Sequence, residues 1–201
     1  GDANVLVFPD TDLELASKRS ALGAYGYAGQ VCIAVQHVRT HKSVYKEMKK
    51  RLIAETEATK AGDPLGEGVV CGPLISEAAA AKCMAWIDEA VMAGAKVLAG
   101  GKREGNLVMP TLIEGVAPDC KLATEEVFAP VLTLSRFDDT DAAFAAVNRS
   151  RFGIQCGIFT RDLGLVERAF RELEVGGVIV NDFPTLRFDN MPYGGVKRSG
   201  V

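Results

Sequence analysis

Several features that would announce a function are missing from these 201 residues. No G-x-G-x-x-G follows a strand-like run and no G-x-x-x-x-G-K-[ST] occurs, so the segment carries no dinucleotide or nucleotide fingerprint of its own. Gly23, Gly26 and Gly29 fall three apart, which is the wrong spacing. The cysteines (Cys32, Cys71, Cys83, Cys120 and Cys156) are odd in number and scattered without a C-x-x-C pair, and the only histidines are His37 and His41. This pattern names no metal ligand set and no disulfide frame, and it suits the reducing cytoplasm. A formal net charge of −3 provides no basic footprint. Nucleic acid and anionic membrane are therefore poor partners. The apolar runs are much shorter than the roughly 20 residues of a bilayer span, and no secretory leader is seen. An initiator Met is also missing: Gly1-Asp2-Ala3-Asn4 leads straight into an apolar run, and Ser199-Gly200-Val201 stops as in a loop. Both ends are those expected of a piece of a longer polypeptide.

With 48% hydrophobic and 24% charged residues, the chain can bury a core as one compact domain. Strand-length apolar clusters alternate with stretches of helical period. Strands are expected at Val5–Phe8, Val31–Thr40, Val97–Ala99, Val131–Leu134, Ile154–Phe159 and Val178–Val180. Thr11 to Glu14 reads as a capping box opening a helix to about Gly26. Ser43 reads as the cap of a helix with Tyr45, Met48, Leu52 and Ile53 on one face, broken by Gly62-Asp63-Pro64. Ser76 caps another, with Ala80, Cys83, Met84, Ile87 and Val91 inward and Gly94 at its end. Two more helices are expected near Asp139–Asn148 and Asp162–Leu173. The alternation predicts an α/β fold, a mostly parallel sheet with helices on both faces, and ligand groups at the carboxyl ends of its strands.

Three stretches carry candidate chemistry. Ala28-Gly29-Gln30-Val31-Cys32 sets one thiol in a glycine-flanked turn before a β-branched run, where an attacking sulfur would be exposed, fixed and close to free backbone N–H groups. A buried packing cysteine is the alternative. Glu125-Glu126-Val127-Phe128-Ala129-Pro130 joins two acids to an aromatic and a proline, and is otherwise a solvated loop. Asn181-Asp182-Phe183, followed by Met191-Pro192-Tyr193-Gly194-Gly195-Val196-Lys197-Arg198-Ser199-Gly200, is an aromatic and glycine loop after a buried strand.

Together these stretches resemble the aldehyde dehydrogenase superfamily over essentially all 201 residues. Gly29-Gln30-Val31-Cys32 is similar to its cysteine motif, Glu125 to Pro130 to its E-E-x-F-G-P motif, and Pro192 to Gly200 to its P-[FY]-G-G-x-K-x-S-G segment. Gly62-Asp63-Pro64 and Gly72-Pro73-Leu74-Ile75 resemble a further family stretch between them. The resemblance implies that residues 1–201 are the cysteine-bearing catalytic domain. A general-base glutamate would lie just before Gly1, a cofactor-binding domain and an oxyanion-holding asparagine further upstream, and an oligomerisation strand beyond Val201. NAD or NADP would be held mainly by sequence outside these residues, and the full-length protein would be a homo-oligomer.

The resemblance also implies roles. Cys32 would attack the carbon of a small-molecule aldehyde while its N–H stabilises the oxyanion, giving a thiohemiacetal and then a thioester that water hydrolyses. Glu126 would hold the nicotinamide ribose and Phe128 would pack beside the ring. Phe183, Leu186 and Tyr193 would line the aldehyde tunnel, with ordinary packing as the alternative for each. Asn181 is equally read as an Asx turn ending a strand. Val31, where members handling phosphorylated aldehydes often carry arginine, argues against a phosphate-bearing substrate. Arg187 is an anion contact near the tunnel mouth or a partner of Asp189. Ala129 replaces the commoner glycine, which matters if that position needs positive φ.

Three rivals remain. A cysteine hydrolase would pair Cys32 with His37 or His41, but neither has an evident orienting acid, and His37 is expected on the opposite face. A CoA-acylating member of the superfamily differs in what attacks the thioester. Alone, the 201 residues are expected to lack turnover, as a scaffold without its base.

Overall fold

The computed structural model describes residues 1–200. In chain order the main elements are β1 (Ala3–Val7), α1 (Leu13–Tyr25), β2 (Val35–His41), α2 (Tyr45–Ala58), α3 (Glu77–Met92), β3 (Lys96–Ala99), β4 (Arg103–Glu104), β5 (Leu107–Val108), β6 (Thr111–Glu114), α4 (Lys121–Thr124), β7 (Val131–Phe137), α5 (Thr140–Asn148), β8 (Gln155–Phe159), α6 (Leu163–Glu172) and β9 (Gly177–Val180). Seven strands form one sheet in the order β3-β6-β7-β2-β1-β8-β9. Every neighbouring pair is parallel except the edge pair β3–β6. The fold is thus α/β with a mostly parallel sheet.

Strand periodicity explains the layers. Alternate residues of a strand point to opposite faces, so each central strand feeds two cores. Val5 and Val7 of β1 join Val38, Leu112, Leu132 and Leu134 beneath α1 and α2, where Ala21, Tyr25, Met48 and Leu52 complete one cluster. Leu6 points the other way, packing with Ile158 and Phe137 under Phe144, Val147 and Ala169 of α5 and α6. Further along that second face, Ile113 and Val131 pack under Ala80, Cys83 and Ile87 of α3. Both faces therefore carry helices.

Several local expectations need correction. The capping box at Thr11 does not form: Asp12 is the cap and accepts from the N–H groups of Glu14 and Leu15 at 2.9 and 3.1 Å, while the Glu14 side chain binds Lys18. Asp12 wins because its carboxylate sits next to the first turn and carries the charge favoured at a helix N-terminus. Ser43 caps nothing, since its hydroxyl lies 2.7 Å from His41 Nδ1 and the helix starts at Tyr45. Val91 is exposed, and the inward face of α3 is Ala80, Cys83, Ile87 and Ala90. β2 starts at Val35 because Val31 to Ala34 form a turn closed by the Ala34 N–H to the Val31 carbonyl at 2.9 Å. Ser76, Asp139 and Asp162 do cap their helices.

Candidate active site

The chemical stretches meet at the amino end of the parallel sheet, contrary to the carboxyl-end expectation. Gly1 and Asp2 precede β1, the Cys32 turn precedes β2, Glu125 to Pro130 precede β7, and Gly153 precedes β8. At the carboxyl end the chain turns directly into caps and helices. Position follows from which connections are long, and here the segments entering strands are the ones left free to converge.

Cys32 is exposed, whereas Cys71, Cys83, Cys120 and Cys156 are buried. It occupies a central position of the Val31–Ala34 turn, and no acceptor among the described residues takes its N–H. A solvent-facing sulfur beside an unspent backbone donor can attack a carbonyl carbon and steady the resulting oxygen. The turn is held from three sides. Gln30 Oε1 accepts from the Ile75 N–H at 3.0 Å, tying the cysteine loop to the Gly72–Ile75 stretch. Gly29, at φ 66°, lies against Ala129, and a Cβ there would stand 2.2 Å from the Ala129 carbonyl oxygen. Only glycine tolerates both that backbone and that approach. Thr185 Oγ1 lies 2.9 Å from the Ile33 carbonyl and 3.2 Å from that of Gly23, clamping the 181–193 loop behind the thiol.

The two acids of the second stretch separate. Glu125 pairs with Arg151, whose guanidinium also reaches the Thr124 carbonyl at 3.0 Å. Glu126 is half-buried and lines a small crevice with Gly1, Gly29 and Phe128. A Cβ on Gly1 would lie 2.9 Å from the Cys32 carbonyl oxygen, so the chain start, the cysteine turn and Glu126 are neighbours. Phe128 takes φ 53° with its ring partly exposed. Left-handed backbone is uncommon for an aromatic residue and marks a position fixed by its surroundings. Ala129 is not among the positive-φ residues, so the departure from glycine costs nothing there.

The third stretch spans the sheet. Asn181, at φ 55°, ends β9 and accepts the Thr160 N–H at 3.0 Å, a bond across to the end of β8 and not a local Asx turn. It lies at the carboxyl end, away from Cys32. From there the loop returns across β8, where Gly157 makes room: a Cβ would meet the Asp182 carbonyl oxygen at 2.7 Å and Pro184 Cδ at 3.1 Å. Arg19 of α1 fixes the crossing, with Nη2 2.8 Å from Asp182 Oδ2 and its guanidinium 4.1 Å above the Phe183 ring. The Leu186 carbonyl takes Gln155 Nε2 at 3.2 Å, at the start of β8. Phe183 packs against the core under α1, so it is half-buried scaffold as well as loop wall. Tyr193 comes within electrostatic reach of Cys32: partial burial, and then the negative charge of a Cys32 thiolate, push its phenol above the ordinary value. Arg187 stacks 5.1 Å from the Tyr193 ring, and its contact with the fully exposed Asp189 is loose, at 3.9 Å. The Val196 N–H to the Gly153 carbonyl, at 2.9 Å, closes the loop on β8.

Neither histidine joins the thiol. His37 is buried within β2 against Thr133 Oγ1 at 2.7 Å, and burial lowers its pKa to about 3. His41 ends β2 at the opposite edge of the sheet. Two residues unmarked in the sequence reading matter most to the assembly. Gln36 is the extra residue where the β1–β2 register slips, and its amide donates to the Leu122 and Glu125 carbonyls at 3.1 and 2.7 Å and accepts from the Val127 N–H at 3.0 Å. A bulge of this kind re-aims a side chain beside a site. A glutamine in an otherwise apolar run was its signal; Thr185 had none. Two crevices of about 10 Å³ adjoin Cys32 and Glu126, room for about one water each. Among the described residues no helix is long and apolar enough to cross a membrane, and no group of three or more metal-ligating side chains gathers.

The sequence model of the aldehyde dehydrogenase family matches residues 1–201. A 3-sulfolactaldehyde dehydrogenase of Priestia aryabhattai is 42% identical over 195 residues, 97% of this chain and 41% of that protein. The lactaldehyde dehydrogenase of Methanococcus vannielii is 37% identical over 201 residues, 100% of this chain and 43% of its own length. Among solved structures, glyceraldehyde-3-phosphate dehydrogenase of Methanocaldococcus jannaschii, complexed with NADP, superposes with a TM-score of 0.96 at 35% identity, covering 100% of this chain and 44% of that one. Aldehyde dehydrogenase 21 of Physcomitrella patens, in complex with the reaction product succinate, also gives 0.96, at 40% identity and with 100% and 42% covered. The chain spans less than half the length of these relatives.

Proposed function

The chain belongs to the aldehyde dehydrogenase family, and from that premise we propose that it supplies the nucleophile to an enzyme oxidising an aldehyde to a carboxylic acid with NAD or NADP. The observation that carries this is the exposed Cys32 thiol, with its own N–H unspent, in a turn packed against the segments that enter β1, β7 and β8. Cys32 as thiolate forms the sulfur–carbon bond with the aldehyde, and its N–H donates to the oxygen that takes up the displaced electron pair. A nicotinamide held against Glu126 and Phe128 would supply the acceptor for the hydride of that carbon. A thioester on Cys32 then remains, and water cleaves it to the acid and the free thiol.

Glu126 and Phe128 fit the cofactor's role: a half-buried carboxylate lining the crevice beside the cysteine turn can accept two hydrogen bonds from a ribose diol, and a fixed, partly exposed ring gives a flat surface beside it. On this reading a cofactor-binding domain, a general base and an oligomerisation strand would come from the rest of the full-length protein, since the chain spans 41% and 44% of two such relatives. Tyr193 and Leu186 wall the aldehyde's path, with Phe183 behind them. Arg187, loosely paired over Tyr193, suits a small aldehyde with a carboxylate or sulfonate tail. The named substrates of relatives such as the 3-sulfolactaldehyde and sulfoacetaldehyde dehydrogenases support that class.

The test is made on a protein carrying this chain within the full length of its relatives. Aldehyde-dependent NAD(P)H formation is expected, lost in Cys32→Ser. Arg187→Gln is expected to lower kcat/KM for succinic semialdehyde about tenfold more than for butanal. Turnover surviving Cys32→Ser would overturn the assignment, and acyl-CoA formed in place of free acid would move it to the CoA-acylating class. The 201 residues alone are expected to give no turnover.

A further inference from the structure

A groove of about 520 Å³ opens on the second face of the sheet, between α4 and α5, apart from the cysteine turn. Ligand sites commonly occupy this size range. Its floor is unusual, because β2 and β7 place His37, Arg39, Thr133 and Ser135 where that face is otherwise apolar. Buried polar groups are costly unless partnered. Some are: Arg39 Nε donates to Asn4 Oδ1 at 2.8 Å, and His37 Nδ1 meets Thr133. His37 Nε2 is not, although the residue is only 4% exposed. The nearest carboxylate oxygen, Asp2 Oδ2, is 3.8 Å away, and Asp2 is already bound by Ser150 Oγ at 2.7 and 2.8 Å.

Charge points the same way. Arg149 borders the groove close enough to Arg39 that, after desolvation, its charge is the next cause lowering the Arg39 pKa. Arg136 stands at the far rim. Neither Arg136 nor Arg149 makes an ion pair or side-chain hydrogen bond among the described residues. The surrounding acids are spent: Asp138 pairs with Lys42, Asp139 caps α5, and Glu125 pairs with Arg151. Three guanidiniums thus border a cavity holding one carboxylate, Asp2.

We propose that this groove is a second ligand site, which takes a phosphate-bearing small molecule whose oxygens are held by Arg39 and Arg149 above the free Nε2 of His37. The guanidinium fork matches phosphate geometry, and in the His37 tautomer whose Nδ1 accepts from the Thr133 hydroxyl, the proton on Nε2 is free to point at the anion. The site is independent of Cys32.

Inorganic phosphate is the probe, titrated against sodium chloride at matched ionic strength and read by thermal unfolding and calorimetry. A saturable rise in Tm is expected with phosphate alone and is retained in Cys32→Ser. Arg149→Gln, at an exposed position, should weaken phosphate at least about tenfold with unchanged circular dichroism, and Arg136→Gln should do so by less. Equal responses to phosphate and chloride, or full binding by Arg149→Gln, would overturn the proposal. A phosphomonoester competing with phosphate would mark an esterified ligand, and its failure to compete would mark the free anion.

Discussion

The two ends of the sheet obey different rules. Where β1, β8 and β9 end, polar groups are used up: Asp10 accepts from the Arg161 N–H at 2.7 Å and lies 2.9 and 3.0 Å from Thr160 Oγ1, while Asn181 takes the Thr160 N–H. At the amino end, side chains tie loops to one another, through Gln30 to Ile75, Gln36 to Val127 and Thr185 to Ile33. Yet the Cys32 thiol and N–H stay unspent. Saturation at one edge makes a rigid base, and the tied loops at the other hold reactive groups still without consuming them. Chemistry sits where fixation and free valence coincide.

That contrast can be broken or sharpened at three points. The largest effect is expected in alkylation at pH 8, followed residue by residue with mass spectrometry. Burial pushes the thiols of Cys71, Cys83 and Cys156 up to about 12, which leaves about one in ten thousand as thiolate. Cys32 should react at least about 100-fold faster, and equal rates would remove the distinction. Next, Gly29→Ala should cost about 3 kcal/mol in urea unfolding, because a Cβ collides with Ala129 in a left-handed backbone. A cost below about 0.5 kcal/mol would mean that the amino-end loops are not tied there.

The smallest effect belongs to the saturated edge. Slight burial raises the Asp10 carboxyl, but the Arg161 N–H and the Thr160 hydroxyl outweigh it and hold the folded pKa below its ordinary value. A depressed carboxylate contributes stability that is present above the unfolded pKa of about 4 and lost as pH falls through the folded one. Asp10→Asn should therefore cost a few tenths of a kcal/mol at pH 7, since the group is exposed, and the gap from wild type should close in acid. A gap that persists below pH 3 would show that the charge is not responsible.

Much of the fold was legible because apolar periodicity and caps are local signals. Ser76, Asp139 and Asp162 announced their helices, and the runs at Val131 and Gln155 announced central strands. The β4–β5 pair, β6 and one-turn α4 went unread, being too short for a periodic pattern to emerge. Thr11 was misread because two adjacent residues could both cap, and only the path of the chain chose Asp12. At the candidate site Cys32, Glu126, Phe128 and Tyr193 were each named in advance. Their supports, Gln36, Thr185 and Arg19, were not.

The sequence by itself determined that strands and helices alternate, that one thiol stands in a glycine turn, and that the surrounding motifs belong together. Tertiary structure alone decided that these motifs gather at the amino end of the sheet, that Glu126 lines a crevice beside the cysteine turn while Glu125 faces Arg151, and that His37 leaves a nitrogen unspent above a groove. The physical reason is range. Periodicity, capping and turn chemistry act over a few residues, whereas the meeting of Gly29 with Ala129, or of Thr185 with Ile33, is fixed only when distant segments pack onto one sheet.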